Sequence, residues 1–236
     1  MTKPGHRCIL LLLAVACLPA AAQDSAFKLT LGEYRFSDHT DGIDANLRYT
    51  SELGNAWIGF YRQARPDDVS QWRGGWDRTF GEAVRVTPSA QVASGGFIGG
   101  SLQVETGAPW FAGAGLGRTN LRPYVNLNFD PNDSYVLLAG HRGASGRVVT
   151  LQMVRDNRAN PDQRHYHLTW RQPVGKGERL TLDLLRKEGT VEGEFIRRWG
   201  ATAGYDWPRF FVRIARDPKT NFTAVDAWRF SVGARF

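Results

Sequence analysis

A closed antiparallel transmembrane β-barrel, all-β with short connections, is the fold this chain predicts, and three observations carry it. From Phe27 onward, apolar and polar residues alternate with a period of two in one segment after another, the pattern of strands whose two faces meet different surroundings. No window there has convincing helical spacing, and no apolar run beyond the first 22 residues could cross about 30 Å of hydrocarbon as a helix. The segment 228–236 is the most regular: Trp228, Phe230, Val232, Ala234 and Phe236 share one face, and Arg229, Ser231, Gly233 and Arg235 share the other. A soluble sandwich has no physical reason to turn arginines into its core and end on an exposed Phe. In a membrane barrel the apolar face meets lipid, the arginines meet a wet lumen, and the edge pairs with the first strand, leaving no backbone group unpaired in hydrocarbon.

The elements follow in order. Residues 1–22 read as a secretory leader, with Lys3, His6 and Arg7 as the basic start, Ile9 to Leu18 as the apolar stretch and Ala20-Ala21-Ala22 as the small-residue cleavage site. A retained anchor is disfavoured because the run is too short, and acylation at Cys17 because Ala14-Val15-Ala16 matches the usual motif poorly. Cleavage would remove both cysteines and leave residues 23–236 as one domain with no disulfide. Within it, Ile43, Ala45, Leu47 and Tyr49 alternate with Asp44, Asn46, Arg48 and Thr50. Val125, Leu127 and Phe129 alternate with Asn126, Asn128 and Asp130 before Pro131-Asn132-Asp133. Tyr166, Leu168 and Trp170 alternate with His165, His167, Thr169 and Arg171, and Leu180, Leu182 and Leu184 with Arg179, Thr181 and Asp183. Two further strands are predicted from Phe195 to Trp207 and through Phe210, Val212 and Ile214.

About fifteen segments qualify as strands, and a bacterial barrel with both termini in the periplasm needs an even number. The doubtful stretch is 83–120, where paired glycines blur the period. Twelve strands allow about 18 residues per strand and connection and fourteen about 15, either of which holds strands of about 9 to 11 residues. Twelve is preferred, with fourteen the alternative. Neither leaves residues for a plug or a large lid. The 26 glycines fit a tightly curved wall or places where interior arginines need room.

With apolar positions facing lipid, the alternate positions line the interior. Arg48, Arg73, Arg85, Arg142, Arg171, Arg179, Arg198, Arg213, Arg229 and Arg235 fall there, together with Asp44, Asp77, Glu105, Asp156, Asp183 and Asp206. Of the 30 basic residues all but Lys3, Lys28, Lys176, Lys187 and Lys219 are arginine. Guanidinium is weakly hydrated, always charged and able to hold a carboxylate through two parallel hydrogen bonds. A lumen with more arginine than acid attracts anions; Arg198, Arg213, Arg229 and Arg235 are spaced to form a ladder along the wall. Interior Asp and Glu set up the competing expectation, a packed barrel that conducts nothing.

A leader, a cysteine-free alternating chain and the strand 228–236 ending in Phe together resemble the Gram-negative outer-membrane β-barrel class. The resemblance implies location in the outer membrane, contact with its lipid and lipopolysaccharide, and insertion by the barrel-assembly machinery, with Trp228, Phe230 and Phe236 as the signal it reads. In size, arginine-rich interior and short connections, and faintly in the stretch from Glu33-Tyr34-Arg35 through Asp41 to Tyr49, the chain is similar to small monomeric porins for acidic oligosaccharides. That likeness implies a small anionic solute as the partner. Nucleic acid is excluded as a partner by export, despite the +7 formal charge.

Enzyme readings draw on the histidines. His141 with Ser145 lacks the His-x-Ser spacing of outer-membrane lipid hydrolases and lies in a turn-like sequence. His165 and His167 share a face two residues apart, but no third metal ligand accompanies them in the sequence. His39 falls in a loop and implies no function. Neither a phosphate-binding glycine loop nor a dinucleotide fingerprint is present. The sequence therefore predicts no catalytic residue, cofactor or metal. Its alternatives to a channel are a lipid-modifying hydrolase at the rim and a non-conducting structural barrel.

Overall fold

The computed structural model describes residues 25–64 and 68–236, so the predicted leader with its two cysteines lies outside the described residues. Fourteen strands run in chain order: β1 (Phe27–Phe36), β2 (Asp41–Ser51), β3 (Gly54–Ala64), β4 (Val69–Asp77), β5 (Val84–Ala93), β6 (Phe97–Thr106) and β7 (Trp110–Thr119) form the first half. The second half is β8 (Ser134–Arg142), β9 (Val148–Asp156), β10 (Arg164–Pro173), β11 (Arg179–Val191), β12 (Glu194–Asp206), β13 (Phe210–Asp217) and β14 (Ala227–Arg235). Each pairs antiparallel with its sequence neighbours, and β14 pairs with β1 to close the barrel. The expected twelve strands are thus corrected to fourteen. The stretch 83–120, blurred in sequence, holds three complete strands.

At the seam, Lys28 lies opposite Arg235 and Phe36 opposite Ala227. Beyond the strand itself, the Phe27 and Phe236 backbones exchange hydrogen bonds of 2.9 and 3.0 Å. Closure removes both sheet edges, which in hydrocarbon would each carry a row of unpaired backbone groups. Outward positions hold Ile58, Val92, Leu102, Leu137, Leu151, Leu168, Leu184 and Val212, all exposed on the outer surface. Trp228, Phe230 and Phe236 are among them, and Phe236 stacks on Phe27 at 5.8 Å. The outer face is therefore apolar where it meets lipid, as the alternation requires.

Two sequence expectations fail at one place. Residues 125–130 are not a strand, and the connections are not all short. Residues 120–133, between β7 and β8, have no regular structure and fold into the barrel, burying Leu127 and Phe129 against Tyr34 of β1, Tyr61 of β3 and Ala227 of β14. The alternation is real, but its apolar side faces an interior aromatic cluster rather than lipid. Tyr34 meets Tyr61 edge-on at 5.7 Å and Phe129 edge-on at 6.2 Å. Burying side chains of the size of Leu127 and Phe129 favours docking by about 1.5–3 kcal/mol each.

Interior glycines accommodate neighbouring side chains. A Cβ on Gly75 would come within 2.7 Å of the Trp57 ring, and one on Gly140 within 2.4 Å of the Phe111 ring. Gly59 and Gly204 do the same for Arg73 and Arg213, at 3.2 and 3.0 Å. Room is made for arginines, as expected, and equally for aromatic rings.

Candidate functional site

The interior divides into two halves along the barrel axis. The half nearer the chain termini is rich in cations. Register places Lys28 directly between Arg48 and Arg235, and the Phe211 ring, almost fully buried, carries Lys28 at 4.6 Å, Arg213 at 4.9 Å and Arg235 at 5.2 Å from its centroid. Cations over a ring face are attracted by its quadrupole, so one aromatic gathers three like charges. Asp206 pairs with Arg235 and, at 3.5 Å, with Arg179. Glu105 serves Arg142 at 2.5 Å and Arg85 at 3.3 Å, and Asp77 lies 3.8 Å from Arg48. Lys28, Arg171 and Arg213 have no carboxylate partner within salt-bridge distance among the described residues.

Two of the predicted interior arginines hold structure. Arg73 makes a 2.6 Å salt bridge to Asp44, both side chains only 9% exposed. Arg229 donates from Nη1 to the Leu127 carbonyl at 3.0 Å and lies 5.8 Å from the Phe129 ring centroid, fastening the inward loop. Arg198 stands apart from the expected ladder. It is on the inward side of β12, but β12 pairs with β13 only from Ala201 onward, so Arg198 is exposed at the opposite rim and donates to the Arg197 carbonyl.

The other half is built around residues 120–133, of which 125–130 were expected to form a strand. The Val125 N–H donates to Gln71 Oε1 at 3.2 Å, Tyr124 stacks on Phe97 at 4.1 Å, and Asn221 Nδ2 donates to the Asn126 carbonyl at 3.0 Å. At the C-terminal root, Asp133 accepts from the Thr119 N–H and hydroxyl and from Arg158 Nη1. Burial pushes the Asp133 carboxyl up, but the donors from Thr119 and Arg158 outweigh it and hold the group below the usual carboxylate range. At the centre, Asp130 Oδ1 lies 2.6 Å from His165 Nδ1 and 3.1 Å from His167 Nε2, and His167 Nδ1 lies 2.9 Å from Asp183 Oδ2. Beside them Lys187, fully buried, makes a 2.5 Å salt bridge to Asp217. Asp130 is not legible in sequence as a partner of the histidines, because it is delivered by a loop whose alternation predicts a strand.

His141 lies on the outer face beside Trp110, at 4.6 Å, and Ser145 is in the turn after β8. Both are at the end of the barrel carrying the termini.

No protein-family model matches the chain, and no curated protein matches it. Solved structures do. Acinetobacter baumannii Omp33 superposes with a TM-score of 0.57 at 9% identity, over 92% of this chain and 100% of that one. The NanC porin gives 0.45 at 8% identity over 88% and 100%, and the KdgM porin, solved in complex with disordered oligogalacturonate, 0.43 at 10% over 89% and 99%. With its closed seam and its apolar outer face, the chain is a fourteen-stranded antiparallel β-barrel similar in fold to the outer membrane protein Omp33.

Proposed function

We propose that the barrel is a passive channel preferring small anions. The observation that carries this is the unpaired cation group Lys28, Arg171 and Arg213 in the terminal half of the interior, beside Arg48 and Arg235. Lys28 and Arg213 are half-buried and Arg171 is exposed to the interior. Cations without a salt-bridged carboxylate create a positive potential in a low-dielectric wall and lower the barrier for an anion to enter. A carboxylate passing there exchanges water for short-lived guanidinium contacts; no bond is made or broken. The leader at residues 1–22 and the outward Trp228, Phe230 and Phe236 belong to the same reading, as export and insertion signals.

The loop 120–133 favours a second reading, a barrel closed at rest, because its apolar residues fill part of the interior. Planar-bilayer recordings separate the two. The channel reading expects steps of conductance with a reversal potential on the anion side in a KCl gradient, shifted toward cations by Arg213→Glu and Lys28→Glu. A silent protein that conducts only after the loop is shortened supports closure. Cation preference in the native chain overturns the proposal.

A further inference from the structure

We infer that Asp130, His165 and His167 form a binding site for a first-row divalent transition metal, and that the ion ties the inward loop to the barrel wall. The two histidines stand two apart on β10, so both imidazoles enter the interior from the same face. The loop supplies the third ligand. The Asp130 oxygen and the two ring nitrogens lie within 4.8 Å of one another. Metal–ligand bonds of about 2.0–2.1 Å in a tetrahedral arrangement set neighbouring ligand atoms about 3.3 Å apart. The 2.6 and 3.1 Å separations from Asp130 to the rings therefore need to open by only a fraction of an ångström.

The surroundings fit a ligand set. A metal-bound imidazole characteristically donates its other N–H to a carboxylate, which fixes both tautomer and ring plane. Asp183 takes that place at His167 Nδ1, 2.9 Å away, and is itself held by the Thr169 hydroxyl at 2.7 Å. The His167 Nε2 lone pair then points at Asp130. His165 is fully buried and stacked on Phe222 at 5.1 Å, and its Nε2 has no partner among the described residues, so Asp130 is its single polar anchor. Asp130 and Asp183 bring two negative charges, matching a divalent ion. Lys187, opposite His165 in the β10–β11 register, is already neutralised by Asp217. The Asp130 side chain is 33% exposed and that of His167 19%, leaving a side open to the interior for water as a fourth ligand. Two imidazoles and one carboxylate suit zinc and its first-row neighbours; magnesium and calcium take oxygen sets.

The test is zinc titration by calorimetry of the tag-free, full processed chain in detergent after chelator treatment. One saturable zinc per chain is expected, with no comparable heat from magnesium or calcium. Asp130→Asn, on the loop and outside the wall, should weaken binding at least tenfold, and His167→Ala should abolish it. Asp183→Asn should weaken it by about 10–100-fold as the loss of an orienting partner. Zinc should also slow proteolysis within 120–133 in the native chain and leave the Asp130→Asn chain unchanged. No saturable uptake by the native chain overturns the inference, as does zinc uptake that survives in a folded His165→Ala/His167→Ala chain or magnesium binding as tight as zinc. None of these readouts needs a current, so a barrel that conducts nothing leaves the test intact.

Discussion

Among single residues, Arg73 and Asp44 show how a charge inside a barrel can be structural. Gly59 opens the space that the guanidinium enters, and Asp44 receives it at 2.6 Å with both side chains 9% exposed. Removing one partner of a buried pair strands the other charge, at a cost of about 3–5 kcal/mol, whereas replacing both with apolar groups is often neutral. Asp44→Asn should therefore lower the urea midpoint of the folded barrel substantially, while Asp44→Leu with Arg73→Met recovers most of the loss. Equal destabilisation by single and double changes would show that the pair is not acting as a unit. Arg73 was legible in sequence as an inward residue because strand parity fixes the face. Its partner was not, because parity says nothing about which cation meets which acid.

Parity alone also explains what was misread at the level of elements. Residues 125–130 alternate as cleanly as β14, yet Val125, Leu127 and Phe129 turn toward Tyr34 and Tyr61 inside the barrel. A period of two reports a face that avoids water and does not say whether lipid or a packed interior provides the shelter. The glycines that hid β7 have the same cause. Gly113, Gly115 and Gly117 face inward, and a Cβ on Gly117 would sit 2.3 Å from the Asn132 carbonyl of the loop. The wall is thin where the loop lies against it. The root of the loop should respond to acid with a definite sign. Asp133 is held below its ordinary range in the folded protein, so its ionised form contributes stability above the unfolded value of about 3.9 and loses it as pH falls through the depressed folded value. Proteolysis of 120–133 should stay slow at pH 5 and accelerate well below pH 4. Asp133→Asn should be cleaved faster already at pH 7 and lose that acid-dependent step. A native loop released between pH 6 and 5 would assign the latch to some other group.

For the whole molecule, the decisive feature is the uneven distribution of charge along the barrel. Lys28, Arg171 and Arg213 lack carboxylates near the termini, while Asp130, Asp183 and Asp217 crowd the opposite half together with His165, His167 and Lys187. Arg171 and Arg213 were readable as inward positions from strand alternation, whereas Lys28 was not singled out. His165, His167 and Asp183 were likewise legible as one face, but their meeting with Asp130, Lys187 and Asp217 required a loop and three strands to converge, which no local pattern encodes. If selectivity comes from the field of the cation group, it must weaken as ions screen it. The screening length falls from about 10 Å at 0.1 M salt to about 3 Å at 1 M, a change from spanning much of a narrow interior to barely leaving the side chain. The anion-to-cation permeability ratio of the native barrel should therefore fall toward unity across that range, and Arg213→Glu should start closer to unity and change less. A ratio independent of salt would place the selecting step at a steric constriction formed by the 120–133 loop, where direct contact and not distance-dependent potential decides passage.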